Sequence, residues 1–394
     1  MDIFEKCYRF HDAQIAREQG WYPYFVPFTG GDGTVVEYNG KNIIMIGSNN
    51  YLGLTNHPRL IEAAENALRK YGTGRTGSRF LNGTIDIHLE FEKELAEFVG
   101  KESALIFSTG YLVNLGVIST LLGKNDVVVI DRLDHASIVD GCLLSRAEIL
   151  RFRHNDIENL KQVIFRIPKD KGVLVVVDGI FSMEGDIAKL PEIVEIVKNR
   201  KGARLMVDDA HSLGVLGPKG SGTSSHFGLT EHVDLIMGTF SKSFAAVGGF
   251  IAGDEYVIDY IRHHTRSFIF TASLPPSVVA STREALKIIK EDDQRRENLW
   301  KISNYMRDSF KSLGFDTSTS ETPIIPIVIG DSIKTFLFWK KLFQEGVYTN
   351  AVVAPAVPEN SARLRTSYIA THTFEQMDYV LSKFEKVGKE LGII

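Results

Sequence analysis

Two cysteines in 394 residues, Cys7 and Cys142, leave this chain without the raw material of a disulfide framework. Neither has a C-x-x-C partner, so the spacing of a zinc site is missing as well and no metal is expected. Scarce cysteine fits a reducing compartment, which makes the cytoplasm the expected location. Charge of one sign is lacking too, since 45 Lys plus Arg stand against 49 Asp plus Glu for a formal net charge of −4. Without a basic block or stripe there is no electrostatic footprint for nucleic acid. The opening stretch MDIFEKCYRFHDAQIAREQGW has no apolar core of signal-peptide type. Nowhere does an apolar run approach the ~18 residues of a membrane span. Internal repeats and low-complexity segments are absent as well.

What remains is ordinary globular composition, 44% apolar and 24% charged, in a chain long enough for roughly two domains. Residues 3–19 have helical apolar spacing, and VVEY (35–38) and NIIMIG (42–47) read as short strands around Gly40. HPRLIEAAENALRKYG reads as a helix with Pro58 in its first turn and Gly72 at its end. From 104 to 253, Val/Ile/Leu-rich runs without clean alternation are separated by amphipathic stretches such as LPEIVEIVKNRKG. Such runs suit a parallel sheet covered on both faces, so the expected fold class is α/β, doubly wound. After about residue 275 a long helical region leads to IIPIVIG, a further helix and RLRTSYIATHT, the texture of a smaller α+β domain. The expected division is 1–45 for an N-terminal helix and small strands, 46–285 for the large domain and 286–394 for the small one.

In open α/β sheets ligands gather outside the carboxyl ends of the strands, and the chemistry-bearing residues sit there. IFSTGY ends in Ser108, Thr109, Gly110 and Tyr111 before a helix, and DHAS puts His135 beyond VVVID. VVVDGIFSMEGD carries Asp178 and Ser182, LMVDDAHSLG carries Asp208, Asp209 and His211, and LIMGTFSK carries Thr239, Ser241 and Lys242. Singly each has a plain reading, because a strand-end Asp is usually a cap and a lone lysine is usually solvated. Together they fit one chemistry. Hydroxyls and helix-start amides hold a phosphate, an acid holds a pyridine nitrogen, and a lysine amine forms a Schiff base with an aldehyde. That set describes pyridoxal 5′-phosphate. Asp209 follows Asp208 directly, so in a strand it faces the other way and is expected to be structural.

GTFSKSFAAVGGFIAG, DDAHSLGVLGPKGSGTSSHFG, DGIFSMEGDIAKLP, DHASIVDG and SNNYLGLTNHP together resemble the α-oxoamine synthases, over nearly the whole chain. The resemblance implies a pyridoxal-phosphate enzyme of fold type I, with a large, mostly parallel doubly wound domain and a smaller α+β domain. It also implies a homodimer with shared active sites. The implied reaction joins an amino acid to an acyl-CoA with loss of carbon dioxide. GSRFLNGTIDIHLEFE, SSHFGLTEHVDLIMGTFSKS and NAVVAPAVPENSARLRTSYIATHTFEQMD are similar to the soluble bacterial branch that uses L-serine and a long-chain acyl-CoA.

Residue by residue, the resemblance gives Lys242 the cofactor and the α-proton of the substrate. Asp208 pairs with the pyridine nitrogen, His135 stacks on the ring and helps hold the substrate carboxylate, and His211 and Ser182 meet the ring hydroxyl. Gly110, Tyr111, Thr239 and Ser241 surround the phosphate, while Thr271 and Ser273 reach the phosphate of a partner subunit. Asn50 and Tyr51 lie near the substrate. Arg365 clamps the substrate carboxylate with a guanidinium fork, and Arg363, two residues away, is the second candidate.

Two departures bear on the branch. Ser-Ser-His (224–226) stands where many relatives carry a glutamate, as in the serine-using branch. Arg75 in TGRTGSR puts a large cation where smaller residues are expected, which leaves acyl preference and a CoA phosphate contact both open. Rivals inside the family join glycine to acetyl-CoA or alanine to a pimeloyl thioester with the same core residues. From another class, AHSLG nearly matches the nucleophile elbow of an α/β-hydrolase, with Ser212 as nucleophile. VLGPKGSG then has loop composition where a helix must begin. A non-catalytic paralogue is disfavoured by the joint presence of Lys242, Asp208 and His135. A peripheral membrane contact to reach a lipid substrate stays open.

Overall fold

A computed structural model describes residues 2–31 and 33–394. The larger of two compact units comprises Asn49–Ser182 with Asp186–Glu297, and the smaller takes the rest. The sequence expectation separated 1–45 from 286–394, whereas here 1–48 and 298–394 belong together to the smaller unit. The reason is a parallel pairing of Val347–Tyr348 with Ile44 and Met45 of the strand Lys41–Met45. The C-terminal change of unit falls at 297/298, inside the helix Asp293–Ser312, not at 285/286.

The larger unit is built on seven strands: β1 (Ser103–Phe107), β2 (Asp126–Asp131), β3 (Glu148–Phe152), β4 (Gly172–Asp178), β5 (Ala203–Asp208), β6 (Leu235–Thr239) and β7 (Gly249–Gly253). Their order across the sheet is β1-β7-β6-β5-β4-β2-β3. The pairs from β6 to β3 are parallel, and β7 alone runs antiparallel to its neighbours β1 and β6. GVLVVVD, DVVVID and LIMGT are buried along almost their whole length, the burial of a sheet covered on both faces. Helix α1 (Gly110–Leu121) is apolar nearly all round and therefore buried. Its Val113, Val117 and Ile118 pack in one core with Leu105, Val128, Leu174, Val176 and Met206. Helix α2 (Ala136–Ser145) adds Ile138 and Cys142 to the same core.

The smaller unit contains a three-stranded antiparallel sheet in the order Ile324–Gly330, Ala362–Ser367, Asn350–Val352. The long helical region after 275 is broken at Asp292 into Pro276–Glu291 and Asp293–Ser312. Residues 3–19 form two short helices, Glu5–Tyr8 and Asp12–Glu18, in place of the one expected. Of these helical residues only Ala16 is buried, too little covered surface to stabilise a continuous helix. Among the described residues no helix is long and apolar enough to cross a membrane.

Candidate active site

The parallel register sets Asp178 at the end of β4 beside Asp208 at the end of β5. Asp208 is 4% exposed, and both its oxygens are engaged by its own chain. Oδ1 accepts from the Ala210 amide at 2.9 Å, and Oδ2 accepts from Asn114 Nδ2 at 2.6 Å. The same Nδ2 donates to Ser137 Oγ at 2.9 Å, and that hydroxyl meets His135 Nδ1 at 2.7 Å. His135 is the N-cap of α2, its Nδ1 accepting from the Ser137 amide at 3.2 Å. A continuous polar relay, Asp208–Asn114–Ser137–His135, thus links the strand-end acid to the imidazole and fixes the orientation of both.

The charges meet in the same place. Burial pushes the His135 imidazole below its ordinary pKa, the Lys242 ammonium pushes it the same way, and Asp208 opposes them. The balance favours a neutral ring, suited to stacking on an aromatic face. Asp178 is driven well above the usual carboxylate range by burial and then by its neighbour Asp208, while Lys242 works against that shift. Lys242, His135, Asp208 and Asp178 therefore form one electrostatic neighbourhood.

Lys242 sits, half-buried, on a loop that the sequence builds tightly between β6 and β7. Phe240 and Phe244, both fully buried, stand with ring centroids 5.5 Å apart, and Phe240 stacks on Phe250. Above this anchor the Lys242 carbonyl accepts from Ala245 N at 3.0 Å, and the Phe240 carbonyl accepts from Ala246 N at 2.9 Å. Ala245 is forced to φ +58, a conformation that costs a non-glycine residue about 1–2 kcal/mol. The strain is held by the loop's own hydrogen bonds, and it turns a lysine backbone in place at a strand end.

A cluster of hydrogen-bond donors suited to a phosphate lies where α1 begins. Thr109 caps the helix by accepting from the Leu112 amide, which leaves the Gly110 and Tyr111 amides without a helical partner. Thr239 Oγ1 lies 3.0 Å from Ser241 Oγ and donates to the Gly248 carbonyl at 3.0 Å. A Cβ added to Gly110 would stand 2.7 Å from Thr239 Oγ1, and one added to Gly249 would stand 2.7 Å from the Gly110 Cα. The helix start, the β6 end and the β7 start can approach this closely only through glycine. These donors, with an acid, an imidazole and a lysine on the same strand ends, fit pyridoxal phosphate. Gly110→Ala is expected to weaken cofactor binding at least about tenfold, measured by equilibrium dialysis, because the methyl group crowds the hydroxyl it would share.

The remaining candidates divide. His211 Nδ1 lies 2.6 Å from Tyr51 Oη, so Tyr51 orients His211. The Asn50 side chain closes a turn, donating to Thr55 Oγ1 at 2.9 Å and accepting from the Leu54 amide at 3.0 Å. Tyr111 is 41% exposed and donates its hydroxyl to Asp140, so its backbone N–H is what it can offer a phosphate. Ser182 is partly buried on the loop after β4. Asp209 is wholly buried and accepts from the Thr223 amide at 3.1 and 3.2 Å. Burial moves its pKa up to about 6. Ser212 is also fully buried, with its Oγ accepting from Thr223 Oγ1 at 2.7 Å, and turns, not a helix, follow it. The hydrolase geometry is absent at that serine.

Thr271 and Ser273 lie on a segment tied to the 77–78 turn, the Ser273 amide donating to the Gly77 carbonyl at 2.9 Å. Ser108 Oγ, at the end of β1, donates to the Ala272 carbonyl at 2.7 Å, and Ser273 Oγ is buried without a hydrogen-bond partner. Arg365 and Arg363 both belong to the smaller unit, on the strand Ala362–Ser367. Arg363 is committed there to Glu184 Oε1 and the Met183 carbonyl, each at 3.1 Å, while Arg365 is 4% exposed and sits opposite Asn350 and Pro326.

Sequence reasoning missed Asn114 and Ser137. The signal was present, because Asn114 is an amide four residues after Gly110 in a helix otherwise made of apolar and small residues. In a buried helix such a residue needs a partner.

The family model for aminotransferase class I and II matches residues 41–384. A serine palmitoyltransferase from Sphingobacterium spiritivorum is 51% identical over 99% of this chain and 98% of its own length. An 8-amino-7-oxononanoate synthase from Thermoanaerobacter pseudethanolicus is 47% identical over 90% of each chain. A solved serine palmitoyltransferase variant from S. paucimobilis, with bound pyridoxal phosphate–myriocin, superposes with a TM-score of 0.94. It is 39% identical and covers 100% of both chains.

Proposed function

Because the chain belongs to the class I and II aminotransferase family, in its α-oxoamine synthase branch, we propose that it is a pyridoxal-phosphate-dependent serine palmitoyltransferase. It joins L-serine to palmitoyl-CoA and releases CoA, carbon dioxide and 3-ketodihydrosphingosine, the opening step of sphingolipid synthesis. The observation that carries the reading is the relay from Asp208 through Asn114 and Ser137 to His135, within the electrostatic reach of Lys242. Identity of 51% over 99% of the chain to the Sphingobacterium spiritivorum serine palmitoyltransferase, against 47% over 90% to the Thermoanaerobacter pseudethanolicus 8-amino-7-oxononanoate synthase, supports serine over alanine.

Bound pyridoxal phosphate supplies an electron sink for negative charge at the α-carbon of the amino acid. The residues supply the rest. Lys242 would hold the cofactor, and its Nζ would take the α-proton of serine and later return one. Asp208 holds a proton on the ring nitrogen, and its position is fixed by Asn114 and the Ala210 amide. The His135 imidazole would stack on the ring, as the family resemblance implies. His211, oriented by Tyr51, and Ser182 hold the ring hydroxyl, while the α1 amides, Thr239 and Ser241 hold the phosphate. By the family resemblance, Arg365 would receive the serine carboxylate. The α-carbon attacks the thioester carbonyl, the C–S bond breaks, the CoA thiolate leaves, and the carboxylate departs as carbon dioxide. A homodimer in which Thr271 and Ser273 complete the partner's phosphate site, working in the cytoplasm, agrees with this reading.

Serine labelled at its carboxyl carbon tests the reaction class. One labelled carbon dioxide per CoA thiol is expected, and label retained in the lipid product would contradict a decarboxylative condensation.

A further inference from the structure

Outside the relay, a second cluster of titratable groups lies behind the carboxyl ends of β2 and β4. His154 Nδ1 lies 3.1 Å from Asp131 Oδ1, and its Nε2 lies 2.9 Å from Asp186 Oδ2. A carboxylate on each ring nitrogen leaves both nitrogens as donors, which makes the ring an imidazolium. The adjacent Asn155 repeats the link, its amide donating to Asp131 Oδ2 at 2.8 Å and its Nδ2 to Asp186 Oδ2 at 2.9 Å. The Phe181 ring meets His154 edge-on, with centroids 4.4 Å apart.

Each carboxylate leads to a different loop of the cofactor site. Asp131 accepts from the Leu133 amide at 2.9 Å, and its own amide donates to Asp134 Oδ2 at 2.8 Å, which shapes the turn ending in His135. Asp134 Oδ1 in turn accepts from the Asp178 amide at 2.9 Å. On the other side, the Asp186 carbonyl accepts from Phe181 N at 3.0 Å, and Gly179 O accepts from Ala188 N at 3.0 Å. These bonds close the loop that carries Ser182.

We propose that His154 is a positioning residue for the cofactor site, its imidazolium tying the turn that presents His135 to the loop that presents Ser182. This rests on the cofactor roles proposed above for those two residues. An ion triad of two buried carboxylates and a partly buried imidazolium is weak as a source of stability alone, because desolvation offsets the attraction. What this triad does is fix the register of two loops that have no direct backbone ladder between them. Burial opposes charge on His154, but the hydrogen bonds and charges of Asp131 and Asp186 outweigh it and raise the pKa to about 10. The folded value lies above the ordinary one of 6.5, so the tie's contribution is complete below 6.5 and is lost as pH climbs through 10. Asp131 and Asp186 are the charged groups that face the ring.

The test compares the full-length wild type with His154→Gln and Asp186→Asn. Val173→Ala, at the far end of β4, serves as a control of similar thermal destabilisation. Hydrogen exchange of segments 131–135 and 179–188 is read by mass spectrometry, and pyridoxal phosphate retention and the pH profile of its bound absorbance are read on the loaded proteins. Both site variants are expected to exchange faster in both segments, to lose cofactor affinity about tenfold or more, and to shift the absorbance profile. The Val173→Ala control is expected to leave the affinity and the profile unchanged. Wild-type cofactor affinity in His154→Gln, or faster exchange confined to residues around 154, would overturn the proposal alone. A wild type that takes up no pyridoxal phosphate would overturn the proposed function as well.

Discussion

Lys242→Ala is expected to lower CoA release from palmitoyl-CoA and L-serine by at least about 10³-fold, the combined loss of a covalent anchor and a positioned base. Folding should survive the change. The loop around Lys242 is held by backbone bonds among Phe240, Lys242, Ala245, Ala246 and Gly248, and by the buried rings of Phe240 and Phe244. None of these uses the lysine side chain. Thermal denaturation of the variant should therefore stay close to wild type while the rate collapses. Borohydride reduction of the loaded wild type followed by peptide mapping should place the cofactor on the peptide that contains Lys242, with no label in the variant. A variant that keeps its rate would remove Lys242 from the chemistry.

Asp208→Asn is expected to cost about 10²–10³-fold in rate, the magnitude of losing a preorganised electrostatic partner in a buried site. The amide keeps the shape and still accepts from Ala210, but it carries no charge to hold a proton on the ring nitrogen. It also brings its own NH₂ against Asn114 Nδ2, which now donates to Asp208 Oδ2. Two donors face each other unless one flips, so some stability should be lost as well, on the order of 1–3 kcal/mol by chemical denaturation. Loss of stability with an unchanged rate would make Asp208 a structural acid only.

The strand-end residues were legible because a parallel sheet places every carboxyl end on one side, so five short apolar runs predict one site. Lys242, Asp208 and His135 come together in the structure for that reason. The resemblance places Tyr51 and Asn50 near the substrate, and the structure adds the partners of their polar atoms, His211, Thr55 and Leu54. Such partners depend on how a turn closes, which periodicity does not reveal. Asn114 went unread for a related reason. Its spacing from Gly110 was readable, but its two partners lie 23 and 94 residues away, and nothing local names them. His154 escaped for the same reason, since Asp131 and Asp186 are 23 and 32 residues distant. The grouping of the N-terminal segment with the C-terminal region likewise depends on a pairing between Met45 and Tyr348 that no short window contains.

The most direct measurement is CoA release by the purified, cofactor-loaded protein given palmitoyl-CoA with L-serine, glycine or L-alanine in parallel. The expected result is a clear preference for serine, abolished in Lys242→Ala. Equal or faster release with glycine or alanine would contradict the serine assignment, and no release with any of the three would contradict the acyl donor.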